Sequence, residues 1–91
     1  MAAQKTARPR YNQAVKVIAK FGGEAQLAKL LGLHRVSVYR WNWPHPAGSD
    51  GLVPTFRVNK LREIARIEGI LLTEKDWMPE VNHWEEEQND N

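Results

Sequence analysis

The sequence predicts an all-α fold, a compact bundle of about five short helices with a flexible basic arm before it and an acidic tail after it. Three observations lead there. Apolar residues recur near the 3.6-residue helical period in several short runs. Glycine and proline punctuate those runs where helices should stop. No segment carries a strand signal, an internal repeat or a heptad array. Ninety-one residues suffice for one core and not for two. The expected organisation is therefore a flexible arm over residues 1–10, one domain over 11–84 and a disordered tail over 85–91.

The elements follow in order. The opening MAAQKTARPR is polar, basic and interrupted by Pro9, which reads as a mobile arm. A helix should begin after Asn12, a plausible N-cap, with Ala14, Val15, Val17, Ile18 and Phe21 as its apolar stripe, and Gly22-Gly23 should stop it. A second helix is expected over Glu24 to Leu31, ended by Gly32, and a third from about Arg35 to Asn42. Pro44 disfavours helical geometry at Trp43 and so limits that third helix. Residues 45–51 contain Pro46, Gly48 and Gly51, a loop by composition. Pro54 suits the first position of a fourth helix, whose buried stripe would be Val58, Leu61, Ile64 and Ala65 and whose end would lie at Gly69. Thr73 with Asp76 resembles a capping box, and Leu72 with Trp77 a hydrophobic staple, for a short fifth helix limited by Pro79.

Charge is distributed unevenly. Up to Ile67 there are twelve Lys/Arg against Glu24, Asp50 and Glu63, a net +9; from Glu68 onward Lys75 faces eight carboxylates, a net −7. The first part is suited to a polyanion and the last to solvent. The absence of cysteine excludes disulfides, thiolate metal sites and thiol nucleophiles, and leaves the core to the 42% of residues that are apolar. No apolar run approaches the ~20 residues of a membrane span and the first ten residues lack a signal-peptide core, so a cytoplasmic protein is expected. His34, His45 and His83 are too scattered for a metal site, Glu85-Glu86-Glu87 reads as solvated charge, and no nucleophile, base and orienting group assemble. Neither a cofactor nor an enzyme activity is expected.

The stretch Glu24 to Trp43 carries the functional signal. A helix-turn-helix needs a small residue where its two helices cross, supplied by Ala28, and a residue tolerant of positive φ in the turn, supplied by Gly32 four positions later. Leu27, Leu31, Leu33, Val38 and Trp41 would form its core. His34, Arg35, Val36, Tyr39 and Arg40 then remain outside, with no acidic residue between Glu24 and Asp50. Arginine makes paired hydrogen bonds to guanine O6 and N7, worth ~1–3 kcal/mol of discrimination each, and Val36 suits a thymine methyl. Double-stranded DNA is the expected partner, read in the major groove.

Phe21-Gly22-Gly23, Gln26-Leu27-Ala28, Leu31-Gly32-Leu33 and Val38-Tyr39-Arg40-Trp41 resemble the Cro and YdaS-like phage-type repressors. Gly51-Leu52-Val53-Pro54 is similar to the opening of their fourth helix. The resemblance spans roughly residues 12–79. It implies a transcriptional regulator of a kind often encoded by phages or phage-derived islands, nucleoid-associated in a bacterial host and usually a homodimer on an inverted repeat. It places base reading on Arg35, Val36, Tyr39 and Arg40, and phosphate contacts on Gln26 and Thr55, to which exposed Lys29 and His34 are added. Two departures stand out: His34 replaces the usual Ser or Thr cap, and the loop over Trp43 to Leu52 is longer than the family's link.

The remaining candidates are less specific. Arg8 and Arg10 can enter a minor groove or give only diffuse attraction. Trp41 belongs to the core, while Trp43 suits packing and a DNA backbone contact equally. Trp77, Val81 and Trp84 fit either a segment folded onto its own core or a dimer and partner surface. Rival functions are an architectural or recombination factor, a subunit recruiting RNA polymerase or a second regulator, and a protein-interaction module built on the C-terminal tryptophans.

Overall fold

A computed structural model describes the backbone of residues 7–86 and the side chains of residues 8–84. Strand β1 (Ala7–Tyr11) leads into helices α1 (Gln13–Lys20), α2 (Glu24–Leu31) and α3 (Arg35–Tyr39), the last continued by a 3₁₀ turn over Arg40–Asn42. Helices α4 (Thr55–Glu68) and α5 (Glu74–Trp77) follow, and strand β2 (Val81–Glu86) completes the described chain. The helical bundle is present, but the fold is not purely helical. What was expected of residues 1–6 and 87–91 lies outside the described residues.

The core is built from all five helices. Its four most deeply buried large side chains are Val17, Leu27, Val38 and Leu61, one from each of α1 to α4. Phe21, Trp41, Val53, Ile64 and Trp77 close around them. Burying such side chains contributes about 1.5–3 kcal/mol apiece, which lets a chain without cross-links hold together. On α1 the buried set is Ala14, Val17 and Ile18, whereas Val15 is exposed. Val15 stands 100° around the helix from Ala14 and so falls outside that stripe.

Helix ends follow local chemistry. Gly32 and Gly69 close α2 and α4 in the left-handed conformation, and the amides of Leu33 and Ile70 donate back to the carbonyls of Ala28 and Ala65. Pro54 has ψ 132°, outside the helical range, so it is the capping residue and Thr55 is the first helical one, a shift of one position from expectation. The Thr73–Asp76 capping box opens α5, the Thr73 amide donating to Asp76 Oδ2 at 2.9 Å.

The two strands form an antiparallel ribbon pairing Arg8 with Glu85, Pro9 with Trp84 and Arg10 with His83, with an irregularity between Arg10 and Tyr11. Pro9 is tolerated because each strand of a two-stranded ribbon has an open edge. Two expectations are thereby corrected: residues 7–10 are part of a ladder and not a flexible arm, and Glu85–Glu86 belong to β2 and not to a disordered tail. Asn12 is the N-cap of α1, its carbonyl accepting from the Lys16 amide at 3.2 Å, but its side chain extends the strand pairing and makes no capping bond. Its amide donates to the Glu80 carbonyl and its Oδ1 accepts from the Glu80 amide.

Candidate nucleic-acid interface

Helices α2 and α3 pack directly on one another across the Gly32 turn, burying Leu27 and Ala28 on one side and Val38 on the other. Trp41, in the 3₁₀ turn, anchors the far end of the second helix in the core. This inner face fixes the outer one. His34, Arg35, Tyr39 and Arg40 are exposed, and Val36 is half-buried. Gln26 and Lys29 are exposed on α2, as is Thr55 at the start of α4. Seven of these eight residues are thus exposed as expected, while Val36 is half-buried, and the second helix runs to Asn42 by changing to a 3₁₀ turn after Tyr39.

Two local details shape the outer face. His34 occupies the cap of α3, where its Nδ1 accepts from the Val36 amide at 3.3 Å. That capping bond satisfies one of the helix's first N–H groups and holds the imidazole at the helix start. Arg40 lies with its guanidinium 5.5 Å from the Trp43 ring, and Trp43 is itself exposed. An exposed cation–π contact is worth about 0.5–1 kcal/mol. A paired Arg–guanine contact is worth about 1–3 kcal/mol, so Arg40 can leave the ring for a base edge.

The loop over residues 43–52, longer than the link expected from the resemblance, folds back on the end of the second helix, with residues 43–47 exposed. The amides of Trp43 and Ser49 donate to the Arg40 carbonyl, that of Asp50 to Trp43 and that of Gly51 to Trp41. Asp50 sits at the junction with φ 56° and is 9% exposed. Its Oδ1 accepts from the His45 amide at 2.9 Å and its Oδ2 from Arg8 at 2.5 Å, while Arg10 Nε lies 3.8 Å from Oδ1. Arg10 also donates through Nη2 to the Asn42 carbonyl. Burial pushes the Asp50 carboxyl up, but the His45 amide and the Arg8 and Arg10 charges outweigh it and leave the pKa below the ordinary 3.8. The structure thus turns Arg8 and Arg10 toward Asp50 and the end of the second helix, and not outward as a minor-groove arm.

Lysines on α1 are similarly engaged. Lys16 Nζ donates to the carbonyls of Lys75 and Met78 and to Glu80 Oε1, and Lys20 lies 3.7 Å from Asp76 Oδ2. The charge surplus read from sequence is therefore partly consumed by the fold. Lys29, Arg35 and Arg40 are the exposed cations on α2, α3 and the 3₁₀ turn. Trp77 is a core residue, 8% exposed with Arg62 stacked 4.9 Å from its ring, so it leaves the candidate partner surface; Val81 and Trp84 remain exposed on β2.

Sequence reasoning missed the Asp50 clamp and Gln13, which joins two segments by donating to the Trp77 carbonyl and accepting from the Val53 amide. The alternation in Ala7-Arg8-Pro9-Arg10-Tyr11 was the available signal for β1. Nothing local marked Asp50 as its acceptor, 42 residues from Arg8. Among the described residues no group of three His, Asp or Glu gathers as a metal site, and no helix is long and apolar enough to cross a membrane. The chain matches no family model, no curated protein and no solved structure.

Proposed function

We propose that this protein is a sequence-specific DNA-binding transcriptional regulator of the Cro and YdaS-like type, reading the major groove with the helix from Arg35 to Asn42. The observation that supports the reading is the two-sidedness of that helix. Val38 and Trp41 fix it in the core, while Arg35, Tyr39 and Arg40 face solvent and no carboxylate lies on it. Arg35 and Arg40 would read guanine, half-buried Val36 would meet a thymine methyl, and Tyr39 would donate to a base edge or phosphate. Gln26, Lys29, His34 and Thr55 would hold the phosphates on either side and set the helix's register.

Selection of bound sequences from a random duplex pool at ~150 mM salt tests the reading, because weak electrostatic binding is suppressed there. A recurring site is expected. Arg35→Ala and Arg40→Ala should each lower preference for one base pair of it by about 1–3 kcal/mol while leaving the fold intact. Absence of enrichment at any salt would remove sequence reading altogether.

A further inference from the structure

The outward face of α4 carries a pattern that DNA reading does not use. Phe56, Lys60, Glu63 and Ile67 are all exposed, Phe56 at 77% and Ile67 at 63%. At 100° per residue these four fall within an arc of about 60°, on the side away from buried Leu61 and Ala65, with buried Ile64 about 40° beyond Lys60 at the border of the core stripe. The Phe56 ring is held by the Arg57 guanidinium, 4.8 Å from its centroid. Along the helix the order is apolar, cation, anion, apolar. Phe56 and Ile67 are equidistant from the midpoint between Leu61 and Arg62, and so are Lys60 and Glu63.

That symmetry has a consequence for pairing. If two α4 helices lie antiparallel about a two-fold axis through this midpoint, Phe56 of each copy meets Ile67 of the other, and Lys60 of each meets Glu63 of the other. Such an interface is isologous, the same patch matched to itself with every contact made twice. Lys60 and Glu63 are also neighbours within one helix. The two copies would therefore bring four charges of alternating sign between two apolar contacts. A parallel arrangement would instead oppose Lys60 to Lys60 and Glu63 to Glu63.

We propose that this face of α4 is a homodimer interface whose occupant is a second copy of this chain, antiparallel and in the register just described. The charge antisymmetry favours a second copy over an unrelated partner, because this patch supplies its own complement. One helix per chain covers less than the ~1,200 Å² of a stable complex, so the self-affinity is expected to be micromolar or weaker. The interface is separate from the residues assigned to base reading, and the proposal stands whether or not the chain binds DNA.

Sedimentation equilibrium of the full chain, without DNA and up to ~1 mM, reads the proposal directly. Lys60→Glu and Glu63→Lys should each weaken self-association about tenfold or more, since either reversal opposes like charges twice per dimer. The double variant carrying both reversals restores opposite-charge pairing and should recover wild-type association. A second readout uses the absence of native cysteine. Mixing Phe56→Cys chains with Ile67→Cys chains under oxidised glutathione should give mainly the mixed disulfide. Like positions would stand about 16 Å apart along the helix axis, beyond disulfide reach. A monomer at all concentrations overturns the proposal, as does association insensitive to both single reversals or a double variant no better than the singles. Crosslinking of like positions in preference to the mixed pair also overturns it.

Discussion

Asp50 concentrates several functions in one carboxylate: it accepts from the His45 amide, binds Arg8 and attracts Arg10, all beside the end of the second helix. Its left-handed backbone suits Asp and Asn better than most residues. Asp50→Asn therefore preserves the turn and removes the charge, and should cost about 1–3 kcal/mol at neutral pH, toward the lower end because the Arg8 side chain is 34% exposed. The pKa of Asp50 is lowered in the folded state. Its stabilisation is thus fully present above the unfolded-state value of ~3.9 and is lost as pH falls through the folded-state pKa. Urea titrations of wild type and variant should diverge most above about pH 5 and converge as the pH falls through the lowered folded-state pKa. A gap that stays constant across this range would assign the loss to packing and not to charge. Asp76, held low first by the Thr73 amide, and Glu80, held low by Lys16, act in the same direction on wild type and variant alike.

Among the elements, the connection between the second helix and α4 decides how firmly the candidate reading head is held. Gly51 has φ 89°, its carbonyl accepts from the Ala14 amide at 2.8 Å, and a Cβ built on it would fall on the Tyr11 carbonyl. Backbone strain and overlap with main chain act together there. Gly51→Ala should destabilise the protein by about 3 kcal/mol, read as a fall in urea midpoint with unchanged slope. The helices were legible in sequence because each signal lay inside its own window: Gly32 after Leu31, Thr73 before Asp76, and Val38 and Trp41 three residues apart. The ribbon was not legible, because β1 finds its partner seventy to seventy-nine residues away and the alternation of a five-residue segment is too short to stand out. The one-residue error at Pro54 and the misplacement of Val15 both arose at the margin of an otherwise correct stripe. The exposed positions of Arg35, Tyr39 and Arg40 were legible for the opposite reason, since a buried Val38 and Trp41 leave them only the other side.

For the whole molecule, net charge overstates what is free to meet a polyanion. Arg8, Arg10, Lys16 and Lys20 are engaged by acceptors of the fold, leaving Lys29, Arg35 and Arg40 as the exposed cations of the helix-turn-helix. On the DNA-binding reading, the slope of log affinity against log salt should lie between about −1 per chain, with Lys29 alone neutralising a phosphate, and about −3, with Arg35 and Arg40 also displacing counterions, not the roughly −10 that all basic residues from Arg8 to Arg66 would give. Fluorescence anisotropy of a labelled duplex between about 50 and 200 mM salt distinguishes the two. The ribbon also imposes an order of events. Pairing of Ala7 with Glu86 must await synthesis of nearly the whole described chain, whereas the α2–α3 unit can close after some twenty residues of its own. As the chain leaves the ribosome, the helical core is thus expected to assemble first, with Arg8 and Arg10 drawn toward Asp50 at a later stage. The ribbon is then the last part to acquire protection from hydrogen exchange during folding and the first to lose it in local opening, so nascent chains would expose for a time the two arginines that the finished protein turns inward.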